Sequence, residues 1–231
     1  KTRYIYPLEA DLNPNDIWFS DNSPLEGQPI NMTFSIRNLQ CTYSDITDAN
    51  IYHIYGTDTT KLATLPVDQI SSFGYDYLYL YNQVFTDLGW HYILIEVDSA
   101  DLVVETNEFN NSYMEGFYVE QAIADLTISD ISFSAYNPDM GDLINFTATV
   151  WNNGTADADS FYVRYYIDGT QLSDSILIEH LPSFTNILIT SDPWLVADCE
   201  HLVSATVDED DFILETNEYN NYTERRIGYD F

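Results

Sequence analysis

Basic residues are scarce in this chain: seven lysines and arginines stand against 38 aspartates and glutamates, which gives a net charge of −31. A surface of this sign repels nucleic-acid phosphates and anionic lipids, so we expect neither as a partner. Two interpretations of the charge remain open. The acidic surface either keeps the protein soluble, for example in a salty habitat, or is partly neutralised by divalent cations.

Long apolar runs and catalytic motifs are also missing. No apolar run approaches the roughly 20 residues that cross a bilayer, so we expect no membrane insertion. Cys41 and Cys199 are two isolated cysteines at non-equivalent places, for which we expect no mutual disulfide and which identify no redox compartment. The four histidines are scattered, without an HExxH helix or a serine elbow. We therefore expect no enzymatic activity.

The strongest positive feature is an internal repeat. Residues 98–111 (DSADLVVETNEFNN) return as residues 208–221 (DEDDFILETNEYNN), with eight of the fourteen positions identical. The starts of the two units match as well, at an offset of 114 residues, where Ala-Asp-Leu occurs at 10–12 and again at 124–126. Self-similarity of this length predicts two domains of about 110 residues. Their expected bounds are an N-terminal arm at 1–9, a first domain at 10–120 and a second domain at 121–231.

Apolar and polar residues alternate within each unit, which is the period of half-buried strands. Met32, Phe34 and Ile36 are predicted to face one side of such a strand, and Phe146 and Val150 lie in the equivalent run. No amphipathic stretch of helical length is present. The sequence therefore predicts an all-β protein with two tandem antiparallel β-sandwich domains of the immunoglobulin or fibronectin type III kind.

Four motifs of the second unit carry a resemblance to a known family. They are ADLxIxDIxF at 124–133, PxxGD at 138–142, NNGTADA at 152–158 and ExNExNN at 215–221. Together they resemble the CARDB module, a fibronectin-like sandwich of bacterial and archaeal surface proteins. The resemblance implies tandem modules, a surface location and a role in adhesion. The first unit departs from it at 38–41, where NLQC replaces the NxGxA turn.

Each acidic repeat segment concentrates oxygen ligands and contains no histidine or cysteine, a donor set that favours Ca²⁺ over zinc or copper. The candidate metal ligands are Asp98, Asp101, Glu105, Asn107 and Asn110 in the first segment, and Asp208, Asp210, Asp211, Glu215, Asn217 and Asn220 in the second. The run of four acidic residues at 208–211 makes the second unit the stronger candidate. A competing hypothesis is that these short polar side chains bond their own backbone and only order the hairpin.

Two further features suggest surfaces for a partner. Four tyrosines alternate with Asp76, Leu78 and Leu80 and are predicted to share one exposed strand face, where they would meet another protein or a glycan, or pack within their own molecule. The arm and the C-terminal region carry four of the seven basic residues, and the arm is apolar as well. The candidate partner-binding residues are Tyr4, Ile5, Tyr6, Tyr75, Tyr77, Tyr79, Tyr81, Arg225 and Arg226. An apolar, basic arm is suited to add as a strand to a neighbour's sheet edge, or it folds on its own domain.

Several observations fit an extracellular address. The chain begins at Lys1 without a methionine, which is typical of a secreted protein after signal removal or of an excised fragment. Five glycosylation sequons occur, at Asn31, Asn110, Asn145, Asn153 and Asn221. The sequence thus predicts a non-catalytic extracellular structural or adhesion protein, stabilised by Ca²⁺. Its expected partners are other cell-surface proteins or copies of itself, assembled head to tail into a surface filament. The alternative is a carbohydrate- or ligand-binding module excised from a larger secreted enzyme or adhesin.

Overall fold

The computed structural model divides the chain into two compact units, Lys1–Gln121 and Ala122–Phe231. It describes residues 9–135, 138–197 and 200–228. The predicted arm residues Tyr4, Ile5 and Tyr6 lie outside these ranges, as does Cys199, whereas Cys41 is exposed with a free thiol. Strands dominate the described residues and pair in antiparallel sheets, so the predicted all-β sandwich class is confirmed.

Two sheets make up the first unit. Its strands are β1 (Leu12–Phe19), β2 (Pro29–Asn38), β3 (Thr47–Tyr55), β4 (Asp58–Val67), β5 (Tyr75–Val84), β6 (Gly89–Val97) and β7 (Ser112–Val119). One sheet has the order β1-β2-β5 and the other the order β4-β3-β6-β7. Strand β5 is therefore an edge of the smaller sheet, and β7 is an edge of the larger one.

The second unit has a similar plan with shorter pieces. Its strands are β8 (Leu126–Phe133), β9 (Leu143–Ile144), β10 (Phe146–Asn152), β11 (Ala158–Ile167), β12 (Thr170–Gln171), β13 (Ile176–Leu181), β14 (Thr185–Thr190), β15 (Trp194–Leu195), β16 (Glu200–Val207) and β17 (Tyr222–Gly228). The sheets run β14-β10-β8 and β12-β11-β16-β17, with β13 also pairing with β11 and β15 pairing with β9. Strands β9 and β10 together occupy the place of β2, and β14 and β15 that of β5.

Alternating side chains build the core of each unit, as the sequence periodicity predicts. Met32, Phe34 and Ile36 of β2 are fully buried between the sheets, and Phe146 and Val150 occupy the same positions in β10. Burying one such side chain contributes about 1.5–3 kcal/mol. The period-two alternation of β2 and β10 therefore fixes which face of each strand meets the core.

A buried asparagine organises the loops at one end of each sandwich. Asn38 donates through Nδ2 to Thr42 O at 2.6 Å and accepts from Asp11 N at 3.3 Å. Asn152 does the same in the second unit, donating to Ala156 O at 2.8 Å and accepting from Asp125 N at 3.2 Å. The equivalent loops thus keep one bonding pattern although their sequences differ after the asparagine.

Two histidines pack inside the first unit without a catalytic geometry. His91 is fully buried and its Nε2 donates to the carbonyl of Asp87 at 2.7 Å, which leaves its Nδ1 to accept from His53 Nε2 at 2.8 Å. Burial and the neighbouring His91 lower the pKa of His53. The pair is therefore a hydrogen-bonded element of the core, with Phe85 and Phe117 in ring contact with His91.

Truncating the core tests this architecture. Phe34→Ala should lower the free energy of unfolding by about 3–5 kcal/mol, because it removes a fully buried ring and leaves a cavity. Urea denaturation followed by fluorescence measures the change. Tyr43→Ala, which removes an exposed ring of unit 1, is the control and should change stability by less than about 0.5 kcal/mol. Equal effects of the two substitutions would contradict the assigned core.

Candidate metal-binding site

The two acidic segments are the loops that join β6 to β7 and β16 to β17. Two aspartates at matched positions in each loop adopt positive φ and so set the shape of the loop. The angles are 52° and 54° for Asp98 and Asp101, and 48° and 53° for Asp208 and Asp211. Aspartate tolerates this left-handed region better than most residues because its short carboxylate bonds the local backbone. The repeated aspartates are therefore first a requirement of the loop conformation.

The leading aspartate of each loop is buried and accepts hydrogen bonds from the backbone that follows it. Asp98 accepts from Leu102 N at 3.1 Å and from Val103 N at 2.9 Å. Asp208 accepts from the amides of the two equivalent residues at 3.2 and 2.8 Å, and burial raises its pKa. The hypothesis that these side chains order the hairpin is thus correct for this pair.

A glutamate in each loop is bonded to the first strand of its own unit. One carboxylate oxygen of Glu105 accepts from the backbone N–H of Leu12, and the other accepts from Asn111 Nδ2 at 2.9 Å. Glu215 makes the same pair of bonds, to Leu126 N and to Asn221 Nδ2 at 2.9 Å. Burial of these carboxyl groups raises the pKa of both glutamates to about 7. We call each arrangement the glutamate clasp.

The asparagines selected from the sequence also have structural partners. Asn107 and Asn217 accept from the backbone two residues ahead at 3.2 and 3.1 Å. Asn110 donates to Asp11 at 2.9 Å, and Asn220 makes the equivalent bond at 3.0 Å. These asparagines and the clasp glutamates are therefore engaged in holding the loop, and the cluster described next does not include them.

Three carboxylates of the first loop converge beside the clasp. Oxygens of Asp98, Asp101 and Glu108 all lie within 4.8 Å of one another, with Asp98 buried and the other two exposed. They line an open groove that Asn111 also lines. Glu108 is one of the oxygen donors of the acidic segment but is not among the candidate ligands selected from the sequence. In an acidic loop its spacing carries no distinguishing signal, because only the fold of the loop brings it back to Asp98.

The second unit, which the sequence favours as the metal-binding one, lacks the equivalent carboxylate cluster among its described residues. Asp208, Asp211 and Glu218 line the corresponding groove, but among the described residues the three-carboxylate cluster within 4.8 Å is found in unit 1 alone. Asp210 forms an ion pair with Arg164, which also lies 3.5 Å from Glu209. The guanidinium group of Arg164 thus neutralises part of the acidic run at 208–211. This run is the feature for which the sequence favours the second unit as the metal-binding one.

The tyrosines of β5 share one exposed face, as their alternation predicts. Tyr75, Tyr77, Tyr79 and Tyr81 are each about half exposed, whereas Leu78 is buried. Their rings stack in pairs, Tyr75 with Tyr77 at 6.2 Å and Tyr79 with Tyr81 at 6.0 Å between centroids. We call this surface the tyrosine stripe. Its rings do not pack within the core of unit 1.

Arg225 and Arg226 have partners inside their own unit. Arg225 donates to Ile131 O at 2.8 Å and lies over the ring of Phe133 at 5.1 Å. Arg226 pairs with Glu200. Both guanidinium groups therefore have partners within the second unit, and the Arg226–Glu200 pair is exposed.

The five sequon asparagines fall into two groups. The Nδ2 atoms of Asn110, Asn221 and Asn145 donate to Asp11, Glu215 and Ser191 O, respectively, at 2.9 Å. A glycan on those nitrogens would break the bonds. The other two, Asn31 and Asn153, are exposed, and Asn153 Nδ2 makes one long contact of 3.4 Å. These two are the sterically accessible acceptors.

Comparison with known families addresses the second unit. The CARDB family model matches residues 123–225. This stretch contains the clasp and all of the motifs that carry the resemblance. Residues 123–225, which are less than half of the chain, are thus similar to a CARDB domain. CARDB domains are non-catalytic modules of cell-surface proteins.

Solved CARDB domains resemble part of this chain. A CARDB domain from Pyrococcus furiosus, crystallised in complex with di-metal ions, is 26% identical, with a TM-score of 0.42, and the match covers 46% of this chain and 93% of that one. A domain of a Methanosarcina acetivorans protein, named as a cell surface protein, is 25% identical with a TM-score of 0.38 over 46% and 91% of the two chains. No curated protein matches the chain. None of the helices in the described ranges has the length and apolar character needed to cross a membrane.

The glutamate clasp predicts a pH dependence of stability. The pKa of each clasp carboxyl rises from 4.5 to about 7 on folding, so between these values the folded chain holds protons that the unfolded chain has lost. The clasp contribution is therefore fully present below pH 4.5 and is lost as the pH rises through about 7, by at most about 3 kcal/mol per site. Urea denaturation at pH 5 and pH 8 measures the loss.

Removing the two clasp carboxyl groups should reduce the dependence of the free energy of unfolding on pH. Glu105→Gln with Glu215→Gln keeps the shape of each side chain, and Asn111 can present its unpartnered Oδ1 to the new amide by a flip. Exposed glutamates give the matched control, Glu26→Gln with Glu179→Gln, which removes the same charge. An unchanged difference between pH 5 and pH 8 in the clasp variant would contradict the assignment.

Proposed function

We propose that this chain is a non-catalytic cell-surface adhesion or structural protein built from two CARDB-type sandwiches in tandem. The first unit is then a diverged copy of the second. Support comes from the equivalent strand orders, from the paired asparagines Asn38 and Asn152, and from the glutamate clasp that both units form. These are the parts of the fold that hold its loops together.

The carboxylate cluster of unit 1 carries the proposal that Ca²⁺ stabilises the protein. Asp98, Asp101 and Glu108 offer only hard oxygen atoms within 4.8 Å of one another, and Ca²⁺ takes six to eight such ligands. The open groove leaves room for water to complete the coordination. Three carboxylates this close repel each other without a cation, so binding relieves a cost that the folded loop otherwise carries.

The position of the cluster gives the cation a mechanical role. The same loop is bonded through Glu105 to Leu12 at the start of β1. A cation at the cluster would therefore brace the loop from one side while the clasp holds it from the other. An exposed site of this kind suits a calcium-rich extracellular setting, where modules bind Ca²⁺ with Kd values of about 10⁻⁴–10⁻³ M.

Self-assembly into a surface filament is the assembly that we propose for these modules. The support is the tyrosine stripe, because exposed tyrosines at the edge of a sheet are enriched where proteins meet. A stripe of stacked rings also suits a glycan, which is the competing ligand class and keeps the accessory-module alternative open.

Calcium stabilisation is testable by melting. Saturation at about 100 times Kd should raise the free energy of unfolding by about 2.7 kcal/mol, since the cation binds the folded loop and not the unfolded chain. Differential scanning calorimetry with and without a chelator measures the shift. Asp101→Asn with Glu108→Gln should abolish it, because both residues are exposed cluster ligands.

The control separates coordination from net charge. Asp58→Asn with Glu26→Gln removes the same two charges from exposed positions of unit 1 outside the cluster, and this variant should keep the full calcium shift. Calcium-independent melting of the wild-type protein would sink the metal proposal. An equal loss in both variants would show a nonspecific response to charge.

A further inference from the structure

Strand β5 offers backbone groups to a partner at a free edge. Asn38 N donates to Gly74 O at 3.1 Å, and the antiparallel register then bonds every second residue, Asp76, Leu78 and Leu80, to β2. The backbone groups of the intervening tyrosines consequently point away from β2. Within the described part of the chain, no strand pairs with that side of β5.

The strand's own side chains cover some of these groups. Asp76 accepts from Tyr77 N at 2.8 Å, and Gln83 donates to Tyr81 O at 2.8 Å. No side chain in the described ranges covers the backbone of Tyr79 in this way. The middle of the edge is therefore where an added strand would form its first hydrogen bonds.

A groove with a defined chemistry runs beside this edge. Its lining residues are Leu65, Pro66, Asp68, Asp76, Tyr77, Leu78 and Tyr79. Two carboxylates and two tyrosine rings in one groove match a cationic side chain within an otherwise apolar segment. A cation is attracted both by the opposite charge of the carboxylates and by the faces of the rings. Asp68 is exposed and Asp76 is half-buried.

The second unit does not repeat this surface. The residues of β14 that pair with the same positions of the neighbouring strand are Asn186, Leu188 and Thr190 in place of Tyr75, Tyr77 and Tyr79. Strand β14 has six residues whereas β5 has ten. The edge with stacked rings and flanking carboxylates is therefore specific to unit 1.

Charge identifies the part of a second copy that fits. Two copies of a chain with a net charge of −31 repel each other. Residues 1–8, outside the described ranges, nevertheless carry Lys1 and Arg3 followed by Tyr4, Ile5 and Tyr6. Only seven basic residues occur in the whole chain. An extended segment of six residues spans roughly 20 Å, which suits a ten-residue edge strand.

We propose that the N-terminal arm of one copy adds as a strand to β5 of unit 1 in a second copy, with Arg3 in the groove of Asp68 and Asp76. The tyrosines of the arm then extend the tyrosine stripe. This inference rests on the proposed self-assembly and names its contact. The arm supplies the attraction that the acidic bodies lack, and salt screens the long-range repulsion between the bodies more strongly than a contact at short range.

Charge reversal tests the contact in the chain of 231 residues. Sedimentation velocity at 0.15 M salt, an ordinary ionic strength with a Debye length of about 8 Å, should show association of the wild-type protein. Arg3→Asp and Asp68→Lys should each weaken it, and the double variant should recover it. Asp68 is the residue to change because its side chain is exposed, whereas the carboxylate of Asp76 bonds the backbone.

The stripe has a matched control in the second unit. Tyr77→Ser with Tyr79→Ser should weaken association about tenfold or more, while Leu188→Ser, at the position equivalent to Tyr77, should leave it unchanged. A synthetic peptide of residues 1–9 should dissociate the assembly, and a scrambled peptide should not. Circular dichroism confirms that each variant is folded.

Clear outcomes would overturn the proposal. These are a monomeric wild-type protein across the measured concentrations, association that survives Arg3→Asp, or a charge-reversed pair that does not recover. The cluster variant Asp101→Asn with Glu108→Gln separates this contact from the metal proposal. It should lose the calcium shift and keep arm-dependent association, so failure of either proposal is visible without the other.

Discussion

In each sandwich a buried glutamate bonds the loop before the last strand to the first strand. Glu105 and Glu215 reach from the loop before the last strand to the backbone N–H at the start of the first, Leu12 or Leu126. A desolvated carboxyl is costly, so its bonds to a backbone amide and an asparagine must be satisfied for the loop to stay in place. The bond joins residues about 90 positions apart, and both the loop conformation and the seating of the first strand depend on it.

The acidic repeat therefore contains two sets of side chains, one buried and one exposed. Its inner members, the leading aspartate and the glutamate, accept hydrogen bonds from backbone amides and are buried. Its outer members, Asp101 and Glu108 in unit 1, are exposed and converge on Asp98. Structural ordering and cation binding thus overlap at Asp98 and at Glu108, which accepts from the backbone N–H of Glu105 at 3.1 Å, whereas the glutamate clasp uses other side chains.

The two units keep their interiors similar and differ on their surfaces. Unit 1 exposes the tyrosine stripe, and on its other sheet Trp90 packs against Tyr118 with ring centroids 5.6 Å apart. At the position of Trp90 the second unit has Glu200, paired with Arg226. At these positions unit 1 therefore exposes aromatic rings, whereas unit 2 exposes a pair of opposite charges.

The sequence by itself determined the all-β class, the repeat and the exposed tyrosine face, since a period of two and a match of eight in fourteen positions are local properties of the chain. It could not decide which acidic oxygens converge. That depends on left-handed turns at Asp98 and Asp101 and on a bond between Glu105 and Leu12. Only the tertiary structure brought Glu108 to the cluster and turned Asp210 toward Arg164, because charges distant in sequence meet only after the strands pair.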